Sequence, residues 1–380
     1  MFLYRRALVV AAVAALLSLA CEQEPEARPK ASWAAGPYAP AHTTVRLEDA
    51  SRARMLTVEI WYPGQASETM GAPAETFEAS QEARATLRQL LQAAPADCPT
   101  LVTDATRGAA ARLDLGARPL VAYSHCLNCG RYASFSLAER LASHGMIVVA
   151  PDHAGSLPFA DGAQGETLDV DQLMTRVADM RRLLDAALDG SLFAGTEALA
   201  GLVVDSQRIG AYGHSFGSVT TAQWAQDDVR VSAAAGLAAP MESFLFPDVS
   251  LANLSVPLLF VLAEEDNSIM EFGNEILRTN IEEANPPVWQ VALEDAGHWS
   301  VSDLCGLTEA FSAGCGRGQR HSPGREGESF DYVAVRQGID VVQRYLSTFF
   351  LAYLDVSSEA MVLLKAAPEE VGVRVHARLR

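Results

Sequence analysis

The sequence predicts an α/β fold, a mostly parallel central sheet with helices on both faces. Three observations carry that expectation. Six short runs are apolar almost without interruption: 119–125, 146–153, 208–214, 231–238, 257–266 and 288–295. Such runs suit strands buried on both faces. Segments with helical spacing of apolar residues separate them, at 133–143, 169–188, 215–226, 268–283 and 332–354. Strand, helix, strand in that rhythm builds a parallel sheet by right-handed crossovers. Third, "GHSFG" at 213–217 places a serine between two glycines at one strand-to-helix junction.

Along the chain, "MFLYRRALVVAAVAALLSLAC" reads as an export signal over residues 1–20. Arg5 and Arg6 form a positive start, and Ala7 to Ala20 form an apolar stretch too short to span a bilayer comfortably. "LSLAC" resembles a bacterial lipobox, with its leucine four rather than three residues before Cys21. Lipid attachment at Cys21 would make the protein a cell-envelope lipoprotein. Ordinary secretion with cleavage nearby, or an uncleaved anchor, are the alternatives. Residues 21–42 have Pro, Ala and charge without apolar period and read as a flexible tether. The folded domain is expected over 43–355, opening with a hairpin, "TVRLEDASRARMLTVEIWYP". Two long insertions interrupt it, 66–118 with one helix at 80–93, and 299–330, rich in Gly, Ser and Cys. A C-terminal tail, 356–380, ends in an alternating "VGVRVHARLR" that suits an edge strand.

The formal net charge is −18. That surface repels nucleic acid and anionic headgroups, so a nucleic-acid partner is not expected. The only membrane association expected is through the N-terminal anchor. Five cysteines follow Cys21: Cys98, Cys126, Cys129, Cys305 and Cys315. In an exported chain they are free to pair, and an odd number leaves one over. Cys305 and Cys315 are expected to close one loop. Cys126 and Cys129 would pair with each other, or Cys98 would take one of them.

Gly-x-Ser-x-Gly between a strand and a helix is the nucleophile elbow. The turn is so tight that a Cβ at either glycine position would strike its neighbours, and the following helix points its N-terminus at the reacting centre. Ser215 is therefore the candidate nucleophile. It needs a base. In this fold the chain order is Ser, acid, His, which removes His42, His125, His144, His153 and His214. Of the rest, His298 follows the last predicted strand in "EDAGHWS", whereas His321 sits in a Gly/Arg-rich stretch and His376 in the tail. The acid should leave the end of the intervening strand, "VPLLFVLAEEDNS". Asp266 lies just beyond it, with Glu265 as competitor; Asp295 is too close in sequence to His298 to turn back onto its ring. Two backbone N–H groups should meet the oxyanion, those of Phe216 and of Leu127 in "HCLNCG". "MESFLFP" (241–247) and Trp299 could line an acyl pocket. No metal or cofactor is called for.

Four segments together resemble a known family: "GPYAPAHTTVRLEDASRARMLTVEIWYP", "RPLVAYSHCLNCGRYASFSLAERLASHGMIVVAPDH", "VDSQRIGAYGHSFGSVTTA" and "DAGHWSVSDLC". They are similar to bacterial relatives of platelet-activating factor acetylhydrolase and dienelactone hydrolase, which are α/β-hydrolases. The resemblance covers about two thirds of residues 36–355. It implies Ser215 as nucleophile, His298 as base, and Leu127 and Phe216 as oxyanion donors. It implies a carboxylic ester hydrolase acting through an acyl-enzyme on short-chain acyl or phospholipid-type esters. Two departures stand out. Cys126 replaces the usual glycine after His125. No carboxylate follows "AAAGLAAP", where the acetylhydrolases place their acid; the next is Glu242. That favours Asp266. A non-catalytic binding protein on the same fold, or a hydrolase of another acyl compound such as an amide, are the competing readings.

Overall fold

The computed structural model describes residues 33–65, 72–78, 80–98, 102–153, 155, 165–312, 314–367 and 369–380. The signal segment 1–20 and Cys21 lie outside these residues, as does most of the tether. In chain order the elements are β1 (Ala39–Asp49), β2 (Arg54–Gly64), β3 (Ala72–Pro73), α1 (Gln81–Ala93), β4 (Val102–Thr103), β5 (Thr106–Arg107), β6 (Arg118–Ser124), α2 (Phe135–Ser143), β7 (Ile147–Pro151) and α3 (Val170–Leu188). Then come β8 (Val204–His214), α4 (Phe216–Asp227), β9 (Val231–Leu237), β10 (Leu258–Ala263), α5 (Met270–Glu283), β11 (Val288–Leu293), β12 (Arg317–Gln319), β13 (Ser329–Asp331), α6 (Val335–Tyr353), α7 (Ser358–Ala366) and β14 (Val373–Arg378).

Ten strands form one sheet, in the order β14-β11-β10-β9-β8-β6-β7-β2-β1-β5. The six strands from β6 to β11 run parallel. β2 joins β7 antiparallel, and β1 joins β2 as the expected hairpin, Val45 facing Val58. Burial explains the uninterrupted apolar strands. Along β6, Val121 and Tyr123 enter the core on one face while Leu120 and Ala122 enter the core on the other. The first core packs against Phe135 and Leu141 of α2 and Tyr345 and Phe349 of α6. The second packs against Val177 and Met180 of α3, Trp224 of α4 and Leu277 of α5.

The chain leaves β6 toward β7 on one side and leaves β8 toward β9 on the other. The strand order thus reverses between β6 and β8, and the crevice at their carboxyl ends is where an open α/β sheet takes a ligand.

Three boundaries differ from the sequence expectation. β1 begins at Ala39, inside the span read as tether; Ala41 and His42 are fully buried, and His42 Nδ1 meets Glu59 Oε1 at 2.7 Å. Prolines at 37 and 40 hide that strand from a pattern reading. The tail 356–380 joins the domain: it carries α7 as well as the expected edge strand, β14, antiparallel to β11. The insertions carry structure of their own: β3 pairs with β4, β5 extends the sheet beside β1, and β12 pairs with β13. From Ala31 to Arg380 the chain is one compact unit. Among the described residues no helix is long and apolar enough to cross a membrane.

The expected Cys305–Cys315 disulfide is not formed. Cys315 is bonded instead to Cys98, 217 residues away, and Cys305 is a buried thiol. Closeness in sequence does not decide the pairing. The loop folds back through Gly306 N–H to Phe311 O (2.8 Å), and Cys98 packs so closely on Gly306 that a Cβ there would sit 2.3 Å from its own. The bond joins the two insertions. Cys126 and Cys129 form the second disulfide.

Candidate active site

Ser215 sits between the last residue of β8 and the first of α4, with φ 57° and ψ −122°. A left-handed φ at a non-glycine residue is a strained conformation, held here by the neighbours. Ser215 N–H donates to Leu237 O on β9 (3.0 Å), and Ser215 O accepts from Ser218 N–H (2.8 Å). The glycines are required by contact. A Cβ on Gly213 would lie 2.0 Å from Gly217 O, and one on Gly217 would lie 1.9 Å from Ser124 O at the end of β6. The elbow therefore rests directly on the neighbouring strand.

His298 lies in the loop after β11 and is almost wholly buried. Its Nδ1 meets Asp266 Oδ2 at 2.7 Å. Its backbone carbonyl accepts from His214 Nε2–H (3.0 Å), the residue just before Ser215. Burial, then the neighbouring His298, pulls the His214 pKa well below the ordinary range, so its ring is a neutral tether. Trp299 sets its ring edge-on to His298 at 4.9 Å and to Phe311 at 4.6 Å. It packs against His298 and is only 7% exposed, so it offers little surface to a pocket.

The two adjacent acids have different partners. Asp266 also accepts from Ser268 N–H (2.9 Å) and Ile269 N–H (3.0 Å), which fix its carboxylate in the turn before α5. Glu265 faces away, taken up by Arg320 (3.0 Å), His321 N–H (2.7 Å) and the Ser322 hydroxyl (2.7 Å). Asp295 pairs with Arg320 Nη2 at 2.8 Å. His376 sits in β14 opposite Gln290. The bonds that hold Asp266 and His298 come from Ser268, Ile269 and His214 and from each other, not from His376 or His321.

The loop after β6 is closed on itself by the Cys126–Cys129 disulfide and by Cys129 N–H to Cys126 O (3.2 Å). Asn128 takes a left-handed φ of 56°. Among the described residues, the N–H groups of Leu127 and Phe216 donate to no protein acceptor. Phe216 is the first residue of α4, where such an N–H is left over by geometry. Of "MESFLFP", Met241 and Phe246 are core, Phe246 stacking on Phe216 at 5.5 Å, while Phe244 and Leu245 are exposed. Behind the loop lie two buried groups that pattern reading passes over, Glu166 and Arg176. The available signal was an arginine on the apolar stripe of α3, between Leu173 and Val177. One cluster among the described residues has metal-ligand spacing, Cys98, Cys305 and Cys315, and two of its members are spent in a disulfide.

Residues 130–302, a little under half the chain, match the dienelactone hydrolase family. That span holds Ser215, Asp266 and His298 and stops short of Leu127. No curated protein matches the chain. Among solved structures it is similar to a ferulic acid esterase from Streptomyces cinnamoneus, with a TM-score of 0.65 and 24% identity, covering 92% of this chain and 99% of that one. Fold and matched segment agree: the chain has the α/β-hydrolase fold, and its segment 130–302 is similar to the dienelactone hydrolase family.

Proposed function

We propose that this protein is an exported serine carboxylic ester hydrolase acting through an acyl-enzyme. The observation that carries the reading is His298, bonded to Asp266 through Nδ1 and to His214, next to Ser215, through its carbonyl. In this mechanism His298 Nε2 takes the Ser215 proton as Oγ attacks the ester carbonyl. Asp266 holds the Nδ1–H tautomer and stabilises the imidazolium. The oxyanion is met by the N–H groups of Leu127 and Phe216. The alcohol leaves with the proton from His298, and a water activated by the same ring releases the acid.

Support for an ester bond as target comes from the family match and from the neighbour, a ferulic acid esterase. Phe244 and Phe272 support an apolar substituent: both are exposed, their rings lie 6.0 Å apart, and they follow β9 and β10 on the edge that carries Ser215. Short-chain acyl and phospholipid-type esters both fit this reading. Two disulfides fit folding in an oxidising compartment. Lipid attachment at Cys21 is part of the proposal.

The test is a panel of p-nitrophenyl esters of increasing acyl length, run on the purified protein and on Ser215→Ala. Turnover by the wild type and its loss, with unchanged circular dichroism, in Ser215→Ala is the expected result. Wild-type turnover in Ser215→Ala would end the nucleophile assignment, and no turnover of any ester or amide by the intact protein would favour a binding role.

A further inference from the structure

Leu127 N–H belongs to the same peptide unit as Cys126 C=O. That bond is trans, so the two groups point in opposite directions. Whatever holds the Cys126 carbonyl therefore aims the Leu127 N–H. Arg176, on α3 and fully buried, donates from Nη2 to Cys126 O (3.0 Å) and from Nη1 to His125 O (2.6 Å). The same guanidinium lies over the ring of Phe216, 4.5 Å from its centroid. One side chain thus touches both halves of the expected oxyanion hole.

A buried guanidinium is held in place by a buried partner. Glu166 accepts from Arg176 Nε (2.9 Å) and Nη2 (2.6 Å), a two-pronged pair. It also accepts from Asn128 N–H (2.9 Å), and Asn128 Oδ1 accepts in return from Glu166 N–H (2.7 Å). Burial alone would raise the Glu166 pKa. The Arg176 charge and these bonds outweigh it and bring the carboxyl down to about 2, so the pair is ionised at neutral pH. His125 adds a further hold, its Nδ1 meeting Cys126 O at 2.8 Å and its Nε2 accepting from His153 N–H at 3.1 Å. Residues 125, 126 and 128 are anchored from behind, and the N–H of residue 127 faces the other way.

We propose that Arg176, fixed by Glu166, is the positioning residue of the oxyanion hole. The proposal rests on Ser215 being the nucleophile. With p-nitrophenyl acetate, Arg176→Met should lower kcat by about 100-fold, the effect of losing one oxyanion donor, with KM within about threefold. Arg176→Lys should recover part of it, since an ammonium can reach one carbonyl but not both. Binding of a trifluoromethyl ketone, whose adduct carries the oxyanion, should weaken by the same factor as kcat/KM. Binding of the carboxylic acid product should not change.

A purely structural role predicts something else: fewer active sites, counted by the final extent of Ser215 sulfonylation, with unchanged kcat per labelled site. That result, or unchanged trifluoromethyl ketone affinity in a folded Arg176→Met, overturns the proposal. Should Arg176→Met not fold, Glu166→Gln takes its place, with an expected loss of about tenfold in kcat; wild-type kcat per labelled site there also overturns it. Activity surviving in Ser215→Ala would instead sink the nucleophile reading, and that outcome is separate from all of these.

Discussion

The carboxylate of Asp266 touches no reacting atom, yet its loss should be the costliest after that of Ser215 or His298. Asp266→Asn keeps the acceptor for Ser268 and Ile269 but cannot hold the Nδ1–H tautomer of His298. Turnover should fall by about 10³–10⁴-fold, with the melting temperature little changed. Glu265→Gln should leave turnover within about tenfold and instead loosen the segment at 320–322 that the carboxylate gathers, because a buried carboxylate shared by several donors is a structural tie. The reverse outcome, measured by steady-state kinetics on both variants, would transfer the acid role to Glu265. Ser215 was legible because the elbow's close contacts admit only glycine at 213 and 217, a local demand written in five residues. That Asp266 rather than Glu265 meets His298 was read from its place just beyond the strand end. What settles Glu265 into its own site is Arg320, 55 residues downstream, and no local pattern announces that. Arg176 was missed for a related reason. On a helix it reads as one polar break in an apolar stripe, and only the fold brings its guanidinium beneath residues 125 and 126.

The helices were legible in outline from their 3.6 period, and the central strands from apolar runs that burial on both faces leaves uninterrupted. Apart from α1, expected at 80–93 and found at Gln81–Ala93, the insertions were not, since their order comes from what they rest on. One such contact joins the loop after His298 to α2. Asp303 accepts from Ser136 N–H (2.9 Å) and Ser136 Oγ–H (2.7 Å), and its own N–H donates to Ala133 O (3.0 Å). Burial pushes the Asp303 carboxyl up to about 7, against the pull of the Ser136 bonds. Burial pushes its neighbour Glu139 up to about 8. The direction of the pH effect follows. A carboxyl whose folded pKa is raised stabilises the fold fully below its unfolded pKa, about 4, and that contribution is lost as pH rises through about 7. Asp303→Asn keeps the contacts to Ser136 and removes the titration. Its stability in urea should fall less between pH 5 and pH 8 than that of the wild type, and at pH 8 should equal or exceed it. A steeper fall in the variant would show that the ionised carboxylate is the stabilising form.

On the scale of the whole molecule, the Cys98–Cys315 bond ties the insertion before β6 to the one after β11. A loop of this length is worth up to about 5 kcal/mol by the chain-entropy account. Peptide mapping without reduction should give Cys98–Cys315 and Cys126–Cys129, with Cys305 carrying the alkyl group only after unfolding. Burial pushes the Cys305 thiol up to about 12, so its thiolate, the form that would attack the nearby disulfide, is scarce at neutral pH. Alkylation of Cys305 in the native protein, or a Cys305–Cys315 peptide, would contradict this. The bond also changes the topology of the chain. Ser215, Asp266, His298, Leu127 and Phe216 all lie between residues 98 and 315, inside one covalent ring. A protease that cuts the backbone once anywhere in that ring opens it without releasing a fragment. The nicked protein stays one molecule with Ser215, Asp266 and His298 still tethered together, and parting them takes a second cut in the ring or reduction of the bond.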